Sequence, residues 1–186
     1  MPESVRILGI DPGSRFTGYA VIDVFGADVN VVAYGVLKLP QKKPVSERLK
    51  QLDMLLRQLG EEHCPGEVVV EEAFMAVNAR SALVLGQVRG VAIVAAGASC
   101  PVFEYSARAV KKAVVGYGQA DKGQVVQMVK TLLHLPEAPP QDAADALALV
   151  LCHMYSRRFA AHLEGARCLR YGLGLCSDRC VARVVA

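Results

Sequence analysis

Two carboxylates in this sequence follow strand-like runs, and two more share one face of a helix. Asp11 ends the β-rich run Val5-Arg6-Ile7-Leu8-Gly9-Ile10 and precedes Pro12-Gly13-Ser14, where proline cannot continue a ladder and glycine permits a tight turn. Glu71 follows Val68-Val69-Val70, an apolar run of the kind found in a strand buried on both faces. Both acids could therefore emerge at one edge of a sheet, where α/β folds put their ligand clefts. Asp142 and Asp145 are three apart, which puts them on one helical face, and Leu149 and Cys152 continue that face inward. An inward Asp145 is costly unless a cation or a donor compensates it. Four converging acids would repel one another without metal. Such hard oxygen ligands suit Mg²⁺ or Mn²⁺, and two such ions about 4 Å apart are the standard arrangement for in-line phosphodiester hydrolysis.

Plainer roles exist for some of these residues. Asp11 before Pro-Gly is a common turn residue, and Asp142 after Pro139-Pro140-Gln141 could be an N-cap favoured by the helix dipole. Glu71 and Asp145 are harder to explain this way, because one follows and the other interrupts a run that reads as buried.

The elements that must position these acids follow from periodicity. The strand ending at Asp11 and two further β-rich runs, Thr17 to Val24 and Val29 to Leu39, predict a three-stranded antiparallel meander around the turn Phe25-Gly26-Ala27-Asp28. Pro44 to Glu62 carries Leu49, Leu52, Leu55, Leu56 and Leu59 at helical spacing until Pro65-Gly66 stops the pattern. Val68 to Val70 then reads as a central parallel strand. A small-residue helix follows from Ala79 to Gly97, then a strand Val102 to Tyr105 and helices Ala107 to Val114 and Lys122 to Leu133. The last helix runs from about Asp142 to about Arg158, apolar on most faces and hence packed inside. The expected fold is α/β, a mixed five-stranded sheet flanked by helices, over residues 1–158, with a poorly patterned tail over 159–186.

Composition bounds the function less than the motifs do. The 186 residues, 53% hydrophobic, suffice for one compact core. With four of the 18 acids committed to metal, 14 remain against 21 Lys and Arg, a balance compatible with a polyanionic partner. The first residues lack the apolar run of a signal peptide, so the cytoplasm is expected. The longest apolar stretch, Ala82 to Ala98, is interrupted by Gln87 and Arg89 and falls short of the roughly 20 residues that span a bilayer, so no membrane segment is expected. Six scattered cysteines read as reduced thiols. His162, Cys168, Cys176 and Cys180 could supply four zinc ligands, but they lack the tight gaps of zinc knuckles, and a loose tail is the preferred reading.

Five blocks resemble, in order, the RuvC family of Holliday-junction resolvases. They are Ile7-Leu8-Gly9-Ile10-Asp11-Pro12-Gly13-Ser14-Arg15-Phe16-Thr17-Gly18-Tyr19, Val70-Glu71-Glu72-Ala73-Phe74-Met75-Ala76-Val77-Asn78, Leu85-Gly86-Gln87-Val88-Arg89-Gly90-Val91-Ala92, Val115-Gly116-Tyr117-Gly118-Gln119-Ala120-Asp121-Lys122, and Asp142-Ala143-Ala144-Asp145-Ala146-Leu147-Ala148. The resemblance spans about Val5 to Tyr155 and implies a ribonuclease H-like fold, a homodimer, and a catalytic and metal-binding tetrad at Asp11, Glu71, Asp142 and Asp145. It also selects Glu71 over Glu72, since the family's glutamate lies three residues before the Phe, and alternation turns Glu72 away. Phe74 matches the aromatic that pushes against bases at the crossover, with a core Phe as the alternative. Lys111 and Lys122 match lysines near the scissile phosphate, with solvated surface lysine as the alternative. Arg15 and Arg80 are counted with them as DNA-binding cations.

The implied activity is symmetric, two-metal hydrolysis of four-way junction DNA, leaving 5′ phosphate and 3′ hydroxyl ends. Two Mg²⁺ per subunit are the implied cofactors, replaceable by Mn²⁺, and RuvA and RuvB are the implied partners. Gly86 and Gly90, small residues at four-residue spacing, either let a second subunit approach or pack closely on their own sheet. Two other function classes compete. Actin-like ATPases also begin their phosphate site with Asp-x-Gly after a first strand, but need two lobes and more than about 300 residues. A catalytically inert junction-binding protein would have no use for all four acids.

Overall fold

The computed structural model describes residues 4–26, 28–72 and 79–171, with side chains described as far as Ala160. The chain runs β1 (Ser4–Asp11), β2 (Phe16–Phe25), β3 (Asp28–Lys38), α1 (Val45–His63), β4 (Glu67–Glu71), α2 (Ala79–Ala96), β5 (Val102–Tyr105), α3 (Ala107–Val115), α4 (Lys122–Leu132) and α5 (Gln141–Tyr171). The sheet order is β3-β2-β1-β4-β5. β1 to β3 form the expected antiparallel meander, while β4 pairs parallel with both β1 and β5. The three consecutive valines of β4 are fully buried, as a central strand requires.

Alternation along the strands divides the core. Leu8, Ile10, Val21, Val68 and Val70 meet Leu52, Leu56 and Leu59 of α1 and Val88, Ala92, Ala95 and Ala96 of α2 in one cluster. Residues of opposite parity on β1 turn towards α5. That helix lies close to the sheet because Gly9 has no side chain: a Cβ there would stand 2.6 Å from the carbonyl oxygen of Ala146 and from Val150.

Two expectations are revised. α5 begins at Gln141, so Asp142 lies within its first turn and is not its N-cap. It also continues to Tyr171 instead of ending near Arg158. Ala160, Ala161, Leu163, Glu164, Ala166 and Arg167 are strong helix formers with no proline among them, so propensity carries the helix where the apolar pattern fades. By its packing the chain divides after His153, and the helical stretch from Met154 belongs to a second unit in which Phe159 is exposed. Finally, α2 is long and apolar enough to cross a membrane by length and composition alone. Its face of Val88, Ala92, Ala95 and Ala96 is built into the core. Cys64 and Cys100 are free thiols, whereas Cys176 and Cys180, and the side chains of His162 and Cys168, lie outside the described residues.

Candidate active site

Asp11 and Glu71 end adjacent parallel strands, and the register Ile10↔Val70 brings their positions side by side at one edge of the sheet. Ile10 and Val70 face the α1 and α2 side, so alternation turns both acids towards α5. Glu72, one residue on, is exposed, and its backbone N–H donates to the carbonyl of Tyr105. The turn after Asp11 is fixed by Thr17, a fully buried residue whose hydroxyl accepts from the N–H of Gly13 at 3.3 Å and donates to the Gly13 carbonyl at 3.1 Å. Arg48 of α1 also donates to the carbonyl of Ser14 at 2.7 Å. From α2, Arg89 donates through Nε to the backbone carbonyl of Glu71 at 3.2 Å while its Nη2 lies 2.6 Å from Glu104.

Hydrogen bonding between the Asp11 and Glu71 carboxyls raises the proton affinity of Asp11 and lowers that of Glu71. Burial first, then repulsion from Glu71, pushes Asp11 up to about 8. Burial also raises Glu71, opposed by the hydrogen bond from Asp11 and by Lys122 and Lys111. Asp145 is raised by burial as well, with Lys122 opposing and Asp142 adding to the rise. All four sequence-selected acids thus belong to one electrostatic cluster.

Two lysines reach it. Lys122 opens α4 directly after Asp121, which forms a capping box with Gln124, and its Nζ lies 3.6 Å from Asp145 Oδ2. Lys111 lies on α3, capped by Ser106 and ended by Gly116 in the left-handed region, and its charge reaches both Glu71 and Asp145. Arg15 and Arg80 are exposed, one in the turn after β1 and the other in the first turn of α2. Phe74 lies outside the described residues.

Among the described residues no three His, Cys, Asp or Glu side chains close on one point as a ready metal cage. The donor set nevertheless fits hard divalent cations. It is all carboxylate, it stands at a sheet edge, and burial raises the proton affinities of Asp11, Glu71 and Asp145 against the opposing charge of Lys122. Sequence reasoning missed Thr17, Gly9, Gly18, Arg48 and Arg89 as parts of the site. The glycines inside β1 and β2 were the available signal, since glycine in a strand often marks close backbone approach.

A family model described as "Crossover junction endodeoxyribonuclease RuvC" matches residues 7–153. A crossover junction endodeoxyribonuclease RuvC from Teredinibacter turnerae is 50% identical over 171 residues, covering 89% of this chain and 97% of the relative. Another from Maricaulis maris is 52% identical over 159 residues, covering 85% and 95%. The solved structure of Thermus thermophilus RuvC in complex with Holliday junction substrate superimposes with a TM-score of 0.78 at 34% identity, covering 84% of this chain and 96% of the other.

Proposed function

The chain belongs to the RuvC family of crossover junction endodeoxyribonucleases, and from that premise we propose that it resolves four-way DNA junctions by metal-dependent hydrolysis at Asp11, Glu71, Asp142 and Asp145. The observation that carries this reading is the placement of Asp11 and Glu71 side by side at one sheet edge, with Asp145 and Lys122 paired at 3.6 Å. A family match from residue 7 to 153 leaves the actin-like alternative without support.

Two Mg²⁺ held by the four acids, with Mn²⁺ able to substitute, would supply activation of water and neutralisation of charge at the scissile phosphate. The chain's own contribution is preorganisation. β1 and β4 hold Asp11 and Glu71 in fixed register, α5 adds Asp142 and Asp145, and Arg89 and Arg48 anchor the backbone at the strand ends. Lys122 and Lys111 hold phosphate oxygens and offset the carboxylate charge. Arg15 and Arg80, both exposed, contact the DNA backbone, and Phe74 pushes against bases at the crossover. The products are 5′ phosphate and 3′ hydroxyl ends.

The enzyme acts as a twofold dimer through α2, presenting two sites to a near-twofold junction for symmetric nicking. Support comes from the outward face of that helix, where Leu83 and Val94 are 70% and 64% exposed. Packing on its own sheet does not account for Gly86 and Gly90, since a Cβ on either meets nothing within 4 Å. Residues 1–158 form the nuclease unit in this reading. The protein works in the cytoplasm beside RuvA and RuvB, without a membrane.

Incubation with Mg²⁺ and a synthetic four-way junction, beside a linear duplex of the same sequence, tests the proposal. Paired nicks at symmetric positions of the junction alone are expected. Equal cutting of the linear duplex would overturn junction selectivity.

A further inference from the structure

His153 is 1% exposed on an otherwise apolar stretch of α5, and with Thr17 it is one of two buried polar residues among the described residues. Its Nε2 lies 2.8 Å from Glu67 Oε2 and its Nδ1 lies 2.9 Å from the hydroxyl of Tyr105. With the proton on Nε2, the ring donates to the carboxylate and accepts from the hydroxyl, so both ring nitrogens are satisfied without water. Phe103 covers the ring, with centroids 4.4 Å apart.

We infer that the Glu67–His153–Tyr105 network is a positioning device that sets the height of α5 on the sheet, and thereby the approach of Asp142 and Asp145 to Asp11 and Glu71. The inference rests on the tetrad proposed above. Its first ground is geometric. Glu67 and Glu71 are the two ends of β4, four residues or roughly 13 Å apart. His153 and Asp145 are eight residues apart on α5, or roughly 12 Å. The two elements thus meet over matching lengths: Glu67 is bonded to His153 at one end, and Glu71 lies near enough to Asp145 to repel it at the other. Fixing the lower contact fixes the upper one. Tyr105 adds a third anchor, since it is the register partner of Glu71 on β5.

The second ground is that much of the contact nearest the acids is made by small residues. Ala143, Ala144, Ala146 and Ala148 are fully buried, and Gly9 and Gly18 lie beneath the helix. Methyl groups over glycine permit close approach and leave the axial position of the helix to its larger contacts, Val150 over Gly9 and the hydrogen-bonded His153. Hydrogen bonds near 2.8 Å are directional, and a shift that breaks them leaves the buried imidazole of His153 unsatisfied. A repulsive acid cluster at the upper end needs such a restraint most when no cation is bound.

The test measures Mn²⁺ binding from the free-ion EPR signal, together with junction affinity, single-turnover cleavage and melting temperature. Substitution of a partner that orients metal ligands commonly costs ten- to hundredfold in metal affinity or activity, so His153→Leu is expected to weaken Mn²⁺ binding and slow cleavage about tenfold. Junction affinity should stay unchanged. Glu67→Gln, whose amide oxygen still accepts from Nε2, should behave like the parent protein. A merely structural His153 would lower the melting temperature but leave Mn²⁺ affinity of the folded protein unchanged, and that result overturns the inference. Glu67→Leu serves the same comparison if His153→Leu does not fold. Asp145→Asn separates the two readings: near-normal cutting by that variant refutes the tetrad, whereas an inactive Asp145→Asn beside a His153→Leu or Glu67→Leu protein that binds Mn²⁺ normally refutes the positioning role alone.

Discussion

The backbone carbonyl of Asp142 rests directly on Gly18, so that a Cβ on Gly18 would overlap it. Gly18 is also the register partner of Asp11 across β1 and β2. One missing side chain therefore lets the first turn of α5 settle beside the end of β1. Gly18→Ala should lift that turn, costing about 1 to 3 kcal/mol of stability as overpacking does. Cleavage should fall further than the melting temperature implies, because a misplacement of about 1 Å can cost about a hundredfold in rate. Normal cleavage by a stable Gly18→Ala protein would show that this approach is not needed.

The acids themselves separate chemistry from binding. Asp11→Asn, Glu71→Gln and Asp145→Asn should each abolish cutting while leaving junction binding largely intact, since affinity rests mainly on cationic contacts to phosphate. Any of the three that cuts at near-normal rate leaves the tetrad.

Metal identity gives a second separation. Mg²⁺ and Mn²⁺ should support cleavage, whereas Ca²⁺ should support binding without it, because Ca²⁺ takes more ligands at longer distances. Activity that requires Zn²⁺ and disappears with Cys168, Cys176 and Cys180 would instead favour the zinc reading of the tail.

Most of the site could be read from the sequence because strand ends and helix faces obey simple periods. Asp11 and Glu71 were legible as the ends of β-rich runs, and Asp142 and Asp145 as one face of a helix. What periodicity does not carry is lateral pairing. Nothing in the local sequence links Gly18 to Asp142 or His153 to Glu67, whose contacts span 124 and 86 residues. The end of α5 was misjudged for a different reason. Apolar spacing reports burial, whereas the stretch after Phe159 is helical through intrinsic propensity.

The outward face of α2 predicts assembly. Gly90→Leu, at a position open on its own subunit, should block close approach of a second helix and shift the protein from dimer to monomer in sedimentation velocity. Leu83→Lys should act in the same direction by placing charge in an apolar contact. A dimer that survives both substitutions would remove α2 from the interface.

The last prediction concerns protons at Asp11. Its carboxyl is raised from 3.8 to about 8, chiefly by burial and then by Glu71, so the folded protein binds that proton more tightly than the unfolded chain does. The stabilisation from the bound proton is complete below about pH 4 and is lost as pH rises through about 8. Asp11→Asn carries no ionising group there, and its amide can still donate to Glu71. Without divalent metal, the melting temperature of Asp11→Asn relative to the parent should therefore climb between pH 4 and 8 and level off above. Mg²⁺ should narrow the gap at pH 8 by stabilising the ionised parent, and its affinity should strengthen with pH across the same interval, because binding displaces the proton. Differential scanning calorimetry of both proteins with and without Mg²⁺ measures this. A difference that stays flat with pH, or that Mg²⁺ leaves untouched, would mean that Asp11 is not the acid whose charge the metal compensates.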